Sequence, residues 1–458
     1  MKRMKRVLSL ALAGSMLLTL FAACQKSGGS TTPDNGGKTA QSEKPNAESK
    51  GKIKVAAIET TYGSDIWKEV SKAFTEQTGI EVDLISDKNL ENVIGPSMQA
   101  GDFPDVIHLA VGRKEGLTEQ FIKDHQIEEI TDLLAMQVPG EDKKVSDKLM
   151  DNFVSDRSTS NPYADGKTYL APMFYSPCGL FYNAGLFEQK GWKLPETWDD
   201  MWALAEESKK ENISLFTYPT TGYFDAFLYS LMYEAGGEKF FFDATHYKEG
   251  IWDTDEAKTC FSIIEKLASY THPTTPSQAN DQDFTKNQQM ILDNKALFMP
   301  NGNWIVGEMK DAPRADGFKW GMMALPAIKA GGDRYSYTFF EQAWMPAGAK
   351  NKDLGKQFMA FLYSDKAAEI FGKAGAVQPI KGAEKYVPEE SKLFYQVYEN
   401  GAKAAIGNFA PYKAVAGLGD TRKVFLDPVD SLVSGQLTAD EWVKNIKESS
   451  DKMRENLQ

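Results

Sequence analysis

The stretch from Ile53 to Leu84 constrains the fold most, because it reads as a strand, a helix and a second strand. Apolar residues alternate from Ile53 to Ala57 and again from Ile80 to Leu84, as expected for strands with one buried face. Between them, four apolar residues share one face of a helix: Ile66, Val70, Ala73 and Phe74. A strand-helix-strand unit implies a parallel sheet with a right-handed crossover.

The same alternation of strands and helices recurs along the chain. Asp105 to Leu109 and Ala296 to Met299 are short apolar runs typical of buried strands. Thr197 has the spacing of a helix N-cap, and Trp442 falls on the apolar face of a C-terminal helix. The sequence therefore predicts the α/β class. The roughly 400 residues of this region exceed what one core usually supports, so we expect two lobes.

The N-terminal residues have the pattern of an export signal. Four basic residues precede an apolar run from Val7 to Phe21, and two alanines lead into Cys24. The run is too short to span a bilayer of about 30 Å. We expect residues 1–23 to be a lipoprotein signal peptide with lipidation at Cys24; a plain secretory signal is the alternative. Residues 24–51, rich in Gly, Ser, Thr, Pro and Asn, are predicted to be a flexible tether that places the protein on the extracytoplasmic face of the cell membrane.

Charge and aromatic content narrow the choice of partner. The net charge is -12, and no block of Lys and Arg offsets it, which argues against nucleic acid as a partner and leaves the N-terminal lipid as the only expected membrane contact. The chain has 9 Trp and 18 Tyr. Most of these rings are expected to fill the cores, but the number also suits a site that stacks aromatic rings on flat apolar ligand faces.

Catalytic and metal-binding signatures are missing from the sequence. There is no HExxH, GxSxG, P-loop or CxxC motif, and the four histidines are far apart. We expect no metal, no cofactor and no enzymatic activity. A glycoside hydrolase remains the alternative enzyme class, because two facing carboxylates could come from any of the 64 acidic residues. Cys178 and Cys260 could pair in an exported chain or remain as buried free thiols.

Four segments in order along the chain resemble one family. GDFPDV begins at Gly101, LAPMFY and GLFYNAGLF lie between Leu170 and Phe187, KALFM and NGNW lie between Lys295 and Trp304, and WMPAGA begins at Trp344. In this order they are similar to the family 1 extracellular solute-binding proteins, the sugar-binding components of ABC importers, which include maltose-binding protein.

This resemblance implies a two-lobed periplasmic-binding-protein-like fold of type II with three crossings between the lobes, near Tyr175, Met299 and Trp344. The first lobe would then comprise residues 52–175 and 300–344, and the second lobe residues 176–299 and 345–458. The family implies a monomer that captures a carbohydrate by hinge closure and delivers it to the transmembrane subunits of an ABC permease. An adhesin or sensor that binds sugar without transport shares the same fold.

Three shorter segments resemble the branch that binds N-acetylglucosamine and diacetylchitobiose: GYFDAF from Gly222, FTKNQQ from Phe284 and YSYTFFEQ from Tyr335. The chain departs from the maltose-binding pattern at His108, where an aromatic platform is missing, and at Ser176, where that pattern has an acidic residue. The resemblance therefore implies an acetamido sugar rather than a maltodextrin.

A pyranose presents an apolar face and a rim of hydroxyls, so its pocket needs aromatic platforms beside polar side chains. Trp304 and Tyr223 match sugar-stacking positions of the family, with a core role as the alternative for Trp304. Glu59 ends the first strand, where ligands approach a parallel sheet. Asp105 could contact ligand or cap the following turn. The remaining candidates are placed by motif position, at or beside the crossings: Tyr175, Asn303, Glu341, Gln342 and Trp344.

Overall fold

The computed structural model describes residues 50–457, apart from 61, 111, 112, 114, 151, 152 and 154–158. The expectations for the signal peptide and Cys24, and for the tether up to residue 49, lie outside the described residues.

The strands form one mixed sheet. Its hydrogen-bonded order is β2-β1-β3-β8-β4-β6-β5, with β7 also paired to β4 and β9 to β8. The strands are β1 (Lys52–Ile58), β2 (Glu81–Asp87), β3 (Val106–Ala110), β4 (Leu170–Asn183), β5 (Ser214–Phe216), β6 (Ala296–Gly302), β7 (Trp320–Met323), β8 (Tyr335–Trp344) and β9 (Lys403–Ala405).

Helices cover both faces of this sheet. They are α1 (Asp65–Thr78), α2 (Leu90–Gln99), α3 (Leu117–Lys123), α4 (Val145–Lys148), α5 (Ala184–Lys190), α6 (Trp198–Lys210), α7 (Phe224–Thr245), α8 (Asp255–Ser269), α9 (Thr275–Gln278), α10 (Phe284–Leu292), α11 (Ile305–Glu308), α12 (Lys352–Phe361), α13 (Asp365–Lys373), α14 (Leu393–Glu399), α15 (Thr421–Phe425), α16 (Pro428–Val433) and α17 (Ala439–Arg454). Short 3-10 turns include Thr131–Ala135 and Thr221–Tyr223.

The predicted strand-helix-strand unit is confirmed. β1 pairs in parallel with β2 from Lys52 to Ile58, and α1 connects them. The helix ends at Gly79, whose φ of 78° is the left-handed conformation that glycine adopts without a steric penalty. β3 then adds to the other side of β1, also in parallel. The carboxyl ends of these three strands therefore meet at one edge of the first lobe.

Other sequence expectations are confirmed as well. Thr197 and Asp200 form a reciprocal capping box at the start of α6. β6 is buried along its whole length, and Trp442 on α17 is fully buried. Cys178 and Cys260 are both buried free thiols, which decides between the two alternatives.

β4 and β8 run through both lobes and hold them together. β4 has 14 residues; its first part pairs with β8 from Leu170 to Cys178, and its end pairs with β6 and β7. β8 continues to β3 in the first lobe and to β9 in the second. Two strands that cross between lobes in this way form a hinge whose backbone is already hydrogen-bonded.

The packing differs from the expected lobe division in two places. Residues 305–323 stay with the second lobe: β7 pairs with the end of β4, and Gln288 of α10 donates a hydrogen bond to Glu308 (2.8 Å). Helices α12 and α13 join the first lobe, where Phe358 packs on Phe74 and Phe371 on Trp67.

The fold nevertheless has three crossings, at β4, at β8 and between α13 and β9. Met299 lies inside β6 and is not a crossing. α14 packs beneath the hinge strands, with Tyr398 against Tyr175 and Phe394 against Phe181.

Among the described residues, every helix is too short or too polar to cross a bilayer.

Candidate functional site

A cavity of about 350 Å³ opens in the second lobe beside the hinge strands. Five parts of the chain converge on it: the turn before α7 with the start of that helix, the segment before α10, the end of β6 with the start of α11, the two hinge strands, and α15. The lining residues are Cys178, Thr220, Gly222, Tyr223, Asp225, Ala226, Asp281, Phe284, Asn301, Trp304, Phe339 and Arg422. Its volume lies at the lower end of the range for small-molecule sites.

Three aromatic rings form one side of the cavity. Trp304 meets Tyr223 edge to face at 5.9 Å between ring centroids, and it meets Phe339 at the same distance with a tilt of 53°. The indole lies directly against the backbone of Gly302, where an added Cβ would be 2.2 Å from the ring. Only glycine permits this approach, so the missing side chain of Gly302 makes room for the Trp304 ring.

Arg422 supplies a hydrogen-bond donor to the cavity. Its Nε and Nη2 donate to the Thr221 hydroxyl (3.3 and 3.1 Å), and its Nε also donates to Asp427 Oδ1 (3.1 Å). These contacts hold the guanidinium in place. The remaining nitrogen, Nη1, lies beside Gly222 at the cavity wall, in reach of a ligand carbonyl or hydroxyl.

Asp225 supplies an acceptor on the same wall. It lies in the first turn of α7, and one of its carboxylate oxygens accepts from the backbone N–H of Ala226. Burial raises its pKa to about 6, against the opposing effects of that hydrogen bond and of Arg422. The carboxyl group is thus poorly hydrated, which favours a ligand that donates a hydrogen bond to it.

Glu341 and His108 form a buried pair at the first-lobe end of the hinge. His108 Nε2 lies 3.3 Å from Glu341 Oε2, and the side chain of Glu341 is 21% exposed. Burial lowers the pKa of His108 to about 3. Burial also raises the pKa of Glu341 to about 7, although Arg113 acts in the opposite direction. The imidazole is therefore neutral at pH 7, and the carboxyl group lacks a charged histidine beside it.

Tyr62 and Asn303 connect this pair to the cavity. Burial and the charge of Glu341 raise the pKa of Tyr62 to about 12, while hydrogen bonds with Ser176 and Asn303 act in the opposite direction. Asn303 directly precedes Trp304. Tyr62 thus lies between Glu341 and Asn303, the residue next to the Trp304 ring.

A larger cleft of about 860 Å³ continues on the other side of Phe339. Arg113 and the residues around α3 line it from the first lobe, and residues 406–411 line it from the second. Phe339 borders both this cleft and the smaller cavity. Phe339 therefore lies between the larger cleft and the second-lobe cavity.

The structure brings several of the predicted site residues to this region. Tyr223 and Trp304 line the smaller cavity, and half-buried Asn303 lies next to it. Glu341 and Gln342 lie on the hinge strand β8, and Gln342 borders the larger cleft. Trp304 is half-buried in the cavity wall, in keeping with the stacking interpretation.

Three predicted residues are placed elsewhere. Asp105 is buried at the amino end of β3, opposite the edge where ligands approach, and accepts hydrogen bonds from the Lys54 and Asn351 backbones (2.9 and 2.8 Å). Its role is therefore structural, but it joins β1 to the start of α12 and does not cap the following turn. Tyr175 and Trp344 are both fully buried, Tyr175 against Phe153 and Tyr398, and Trp344 near Phe121 in the first lobe.

Glu59 does lie at the carboxyl end of β1, as expected. Its carboxylate is 3.7 Å from the Lys88 ammonium, and its side chain is 28% exposed. It remains a candidate on the first-lobe side of the crevice.

Sequence reasoning missed Asp225, Phe339 and Arg422 as site residues. The first two lie inside segments that carry the family resemblance, and alternation along β8 places Phe339 on the same face as Glu341. Arg422 comes from a distant helix, so no local pattern marks it. Within the described ranges, no group of three or more His, Cys, Asp or Glu side chains is placed to hold a metal ion.

Solved structures and characterised sequences share this architecture. The bacterial solute receptor AcbH, which has an exclusive substrate preference for β-D-galactopyranose, superposes with a TM-score of 0.70 over 88% of this chain and 98% of its own, at 17% sequence identity. The two proteins share the fold.

Two relatives match in sequence at higher identity. The diacetylchitobiose binding protein NgcE of Streptomyces coelicolor is 26% identical over 418 residues, which cover 88% of this chain and 85% of the relative. The maltotriose-binding protein of Pyrococcus abyssi is 24% identical over 290 residues, which cover 61% of this chain and 55% of that protein.

Residues 69–389 match the family described as bacterial extracellular solute-binding protein. The match covers most of the chain, including both hinge strands, α12, α13 and the Trp304 segment. The chain belongs to the bacterial extracellular solute-binding protein family.

Proposed function

We propose that this protein is the sugar-binding component of an ABC importer and that it binds N-acetylglucosamine or its β1,4-linked oligosaccharides. One observation carries the proposal. The second-lobe cavity combines the rings of Trp304, Tyr223 and Phe339 with a fixed donor, Arg422, and a poorly hydrated acceptor, Asp225.

This combination suits an acetamido sugar. The apolar face of a pyranose packs on an indole ring, and the rim of hydroxyls requires polar partners. An acetamido group adds one carbonyl acceptor and one N–H donor. Arg422 Nη1 can donate to the carbonyl, and the Asp225 carboxylate can accept from the N–H.

The sequence relatives support the same ligand class. The chain covers 85% of a Streptomyces protein named for diacetylchitobiose binding, at 26% identity.

The present chain also lacks an aromatic platform at His108, which is buried and packs on Trp67 and Phe174. Maltodextrin recognition would use a ring at that position.

The proposed mechanism is capture by hinge closure. A sugar in the second-lobe cavity would lie beside Asn303 and contact the first lobe through Tyr62 and Glu341, so the closed arrangement gains contacts that the open one lacks. The closed protein would then dock on the transmembrane subunits of the permease. A monomer anchored to the membrane through lipid on Cys24 would serve this role, without a metal, a cofactor or a chemical reaction on the sugar.

The first prediction concerns ligand preference. We expect N-acetylglucosamine and diacetylchitobiose to bind at least about tenfold more tightly than glucose and maltose, because a missing acetamido group leaves buried partners unpaired at a cost of 1–3 kcal/mol. Isothermal titration of the purified protein with the four sugars measures this. Tighter binding of maltose would contradict the acetamido assignment but leave sugar binding in place.

The same samples test the alternative of a glycoside hydrolase. After overnight incubation with diacetylchitobiose, chromatography should return the disaccharide intact. Release of N-acetylglucosamine by the wild-type protein, and its loss in a variant lacking a cleft carboxylate such as Glu341→Gln, would instead support hydrolysis.

The second prediction concerns membrane anchoring. We expect Cys24→Ala to abolish incorporation of radiolabelled fatty acid and to release the protein from the membrane fraction, since Cys24 is the proposed lipidation site. Cys260→Ala is the matched control, because that thiol is buried in the second lobe and should leave labelling unchanged. Label retained by Cys24→Ala would refute the anchor.

A further inference from the structure

We propose that the ligand is longer than one sugar and that Phe339 separates two sugar-binding positions, one in the smaller cavity and one in the larger cleft. This inference rests on the proposed function and specifies the length of its ligand.

The Phe339 side chain is far more exposed to solvent than its two neighbours in β8. It is 41% exposed, although it lies within the hinge strand β8 between Thr338 and Phe340, which are 1% and 5% exposed. The ring also lies against Trp304, so it extends the aromatic wall of the smaller cavity. The ring borders both depressions, so a ligand that extends from the smaller cavity into the larger cleft would pass over it.

The strand edge beneath the larger cleft offers backbone partners for sugar hydroxyls. On this edge β8 pairs with β3 from Glu341 to Trp344 and with β9 from Tyr335 to Tyr337. Residues 338–340 pair with β4 on their other side, and no described strand pairs with them on this edge. The backbone N–H and C=O groups in this gap that point away from β4 can bond the hydroxyls of a pyranose without any change in the sheet.

Both lobes contribute to this second position. Arg113 faces the cleft from the first lobe, and its guanidinium is held by Glu91. Asn408 lines it from the second lobe, where its side chain accepts a hydrogen bond from the Tyr337 hydroxyl (3.0 Å). A second pyranose here would bridge the lobes, so chain length and hinge closure would be coupled.

The experiment compares ligand length in two variants. N-acetylglucosamine, diacetylchitobiose and triacetylchitotriose are titrated into the wild-type protein, Phe339→Ala and Phe339→Tyr. We expect the wild type to bind the disaccharide at least about tenfold more tightly than the monosaccharide, and Phe339→Ala to reduce this ratio to about twofold. Phe339→Tyr keeps the ring and should keep the ratio.

Thermal melting of the same samples separates a binding effect from misfolding, and Phe339→Tyr keeps the test valid if Phe339→Ala is unstable. Equal affinities for monosaccharide and disaccharide in the wild type, or an unchanged ratio in Phe339→Ala, would overturn this inference and leave the proposed function in place.

A parallel series of glucose, maltose and maltotriose distinguishes this inference from the proposed function. If only that series binds and shows the same dependence on Phe339, the length inference stands and the acetamido assignment falls. If neither series binds the wild type, both fall.

Discussion

Replacing Trp304 with Ala should weaken sugar binding about 30-fold, because it removes apolar contact worth about 2 kcal/mol from the cavity wall. The effect should be on binding and not on folding, since the ring is half-buried and lines the cavity. Isothermal titration with the tightest ligand of the sugar panel gives the dissociation constant, and a thermal melt of the same preparation gives the stability.

Trp202→Ala is the matched control for this prediction. Trp202 is also half-buried in the second lobe, but it stacks on Tyr270 away from the cavity. This variant should keep the wild-type affinity. If Trp304→Ala keeps its affinity and loses several kcal/mol of stability, the ring belongs to the core and the stacking role is refuted.

Glu341→Gln should stabilise the protein by about 3 kcal/mol at pH 8 and change little at pH 4, because a shift of one pKa unit corresponds to 1.36 kcal/mol. The pKa of Glu341 is raised from 4.5 to about 7 by burial. Below pH 4.5 the folded and unfolded states both hold the proton. As the pH rises to about 7, the unfolded state loses its proton first, so the free energy of unfolding of the wild type decreases. Glutamine has no proton to lose and avoids that decrease.

Urea unfolding of the wild type and Glu341→Gln between pH 4 and pH 8 tests this. Glu390→Gln is the control, because Glu390 is exposed and should give the wild-type pH profile. Equal stabilities of the wild type and Glu341→Gln at pH 8 would show that the carboxylate is well solvated or paired in the folded state.

The local elements were predictable because their signals are local. Alternation predicted β1 and β2, the short apolar run from Ala296 to Met299 predicted β6, and the Thr197 spacing predicted the start of α6. The lobe to which each segment belongs was harder to predict from the sequence. It depends on pairings such as Phe358 with Phe74 and Gln288 with Glu308, which join residues with no shared sequence pattern.

The site was predictable only in part, for the same reason. Trp304 and Tyr223 lie in motifs of the family, and the structure places both in one wall. Tyr175 and Trp344 lie in motifs as well, but strand alternation turns them to the buried side. Arg422 reaches the cavity from α15, far along the chain from the motifs of Trp304 and Tyr223, and nothing near it in the sequence indicates this.

The two continuous hinge strands also limit how this protein can change its ligand. β8 carries Phe339 and Glu341 on one face and the buried Phe340 and Gln342 on the other. An insertion or deletion of one residue in β8 would exchange these faces, exposing core side chains and withdrawing the ligand-facing ones in both lobes at once. New specificities can therefore arise here by substitution at every second position, whereas changes of length are confined to the loops.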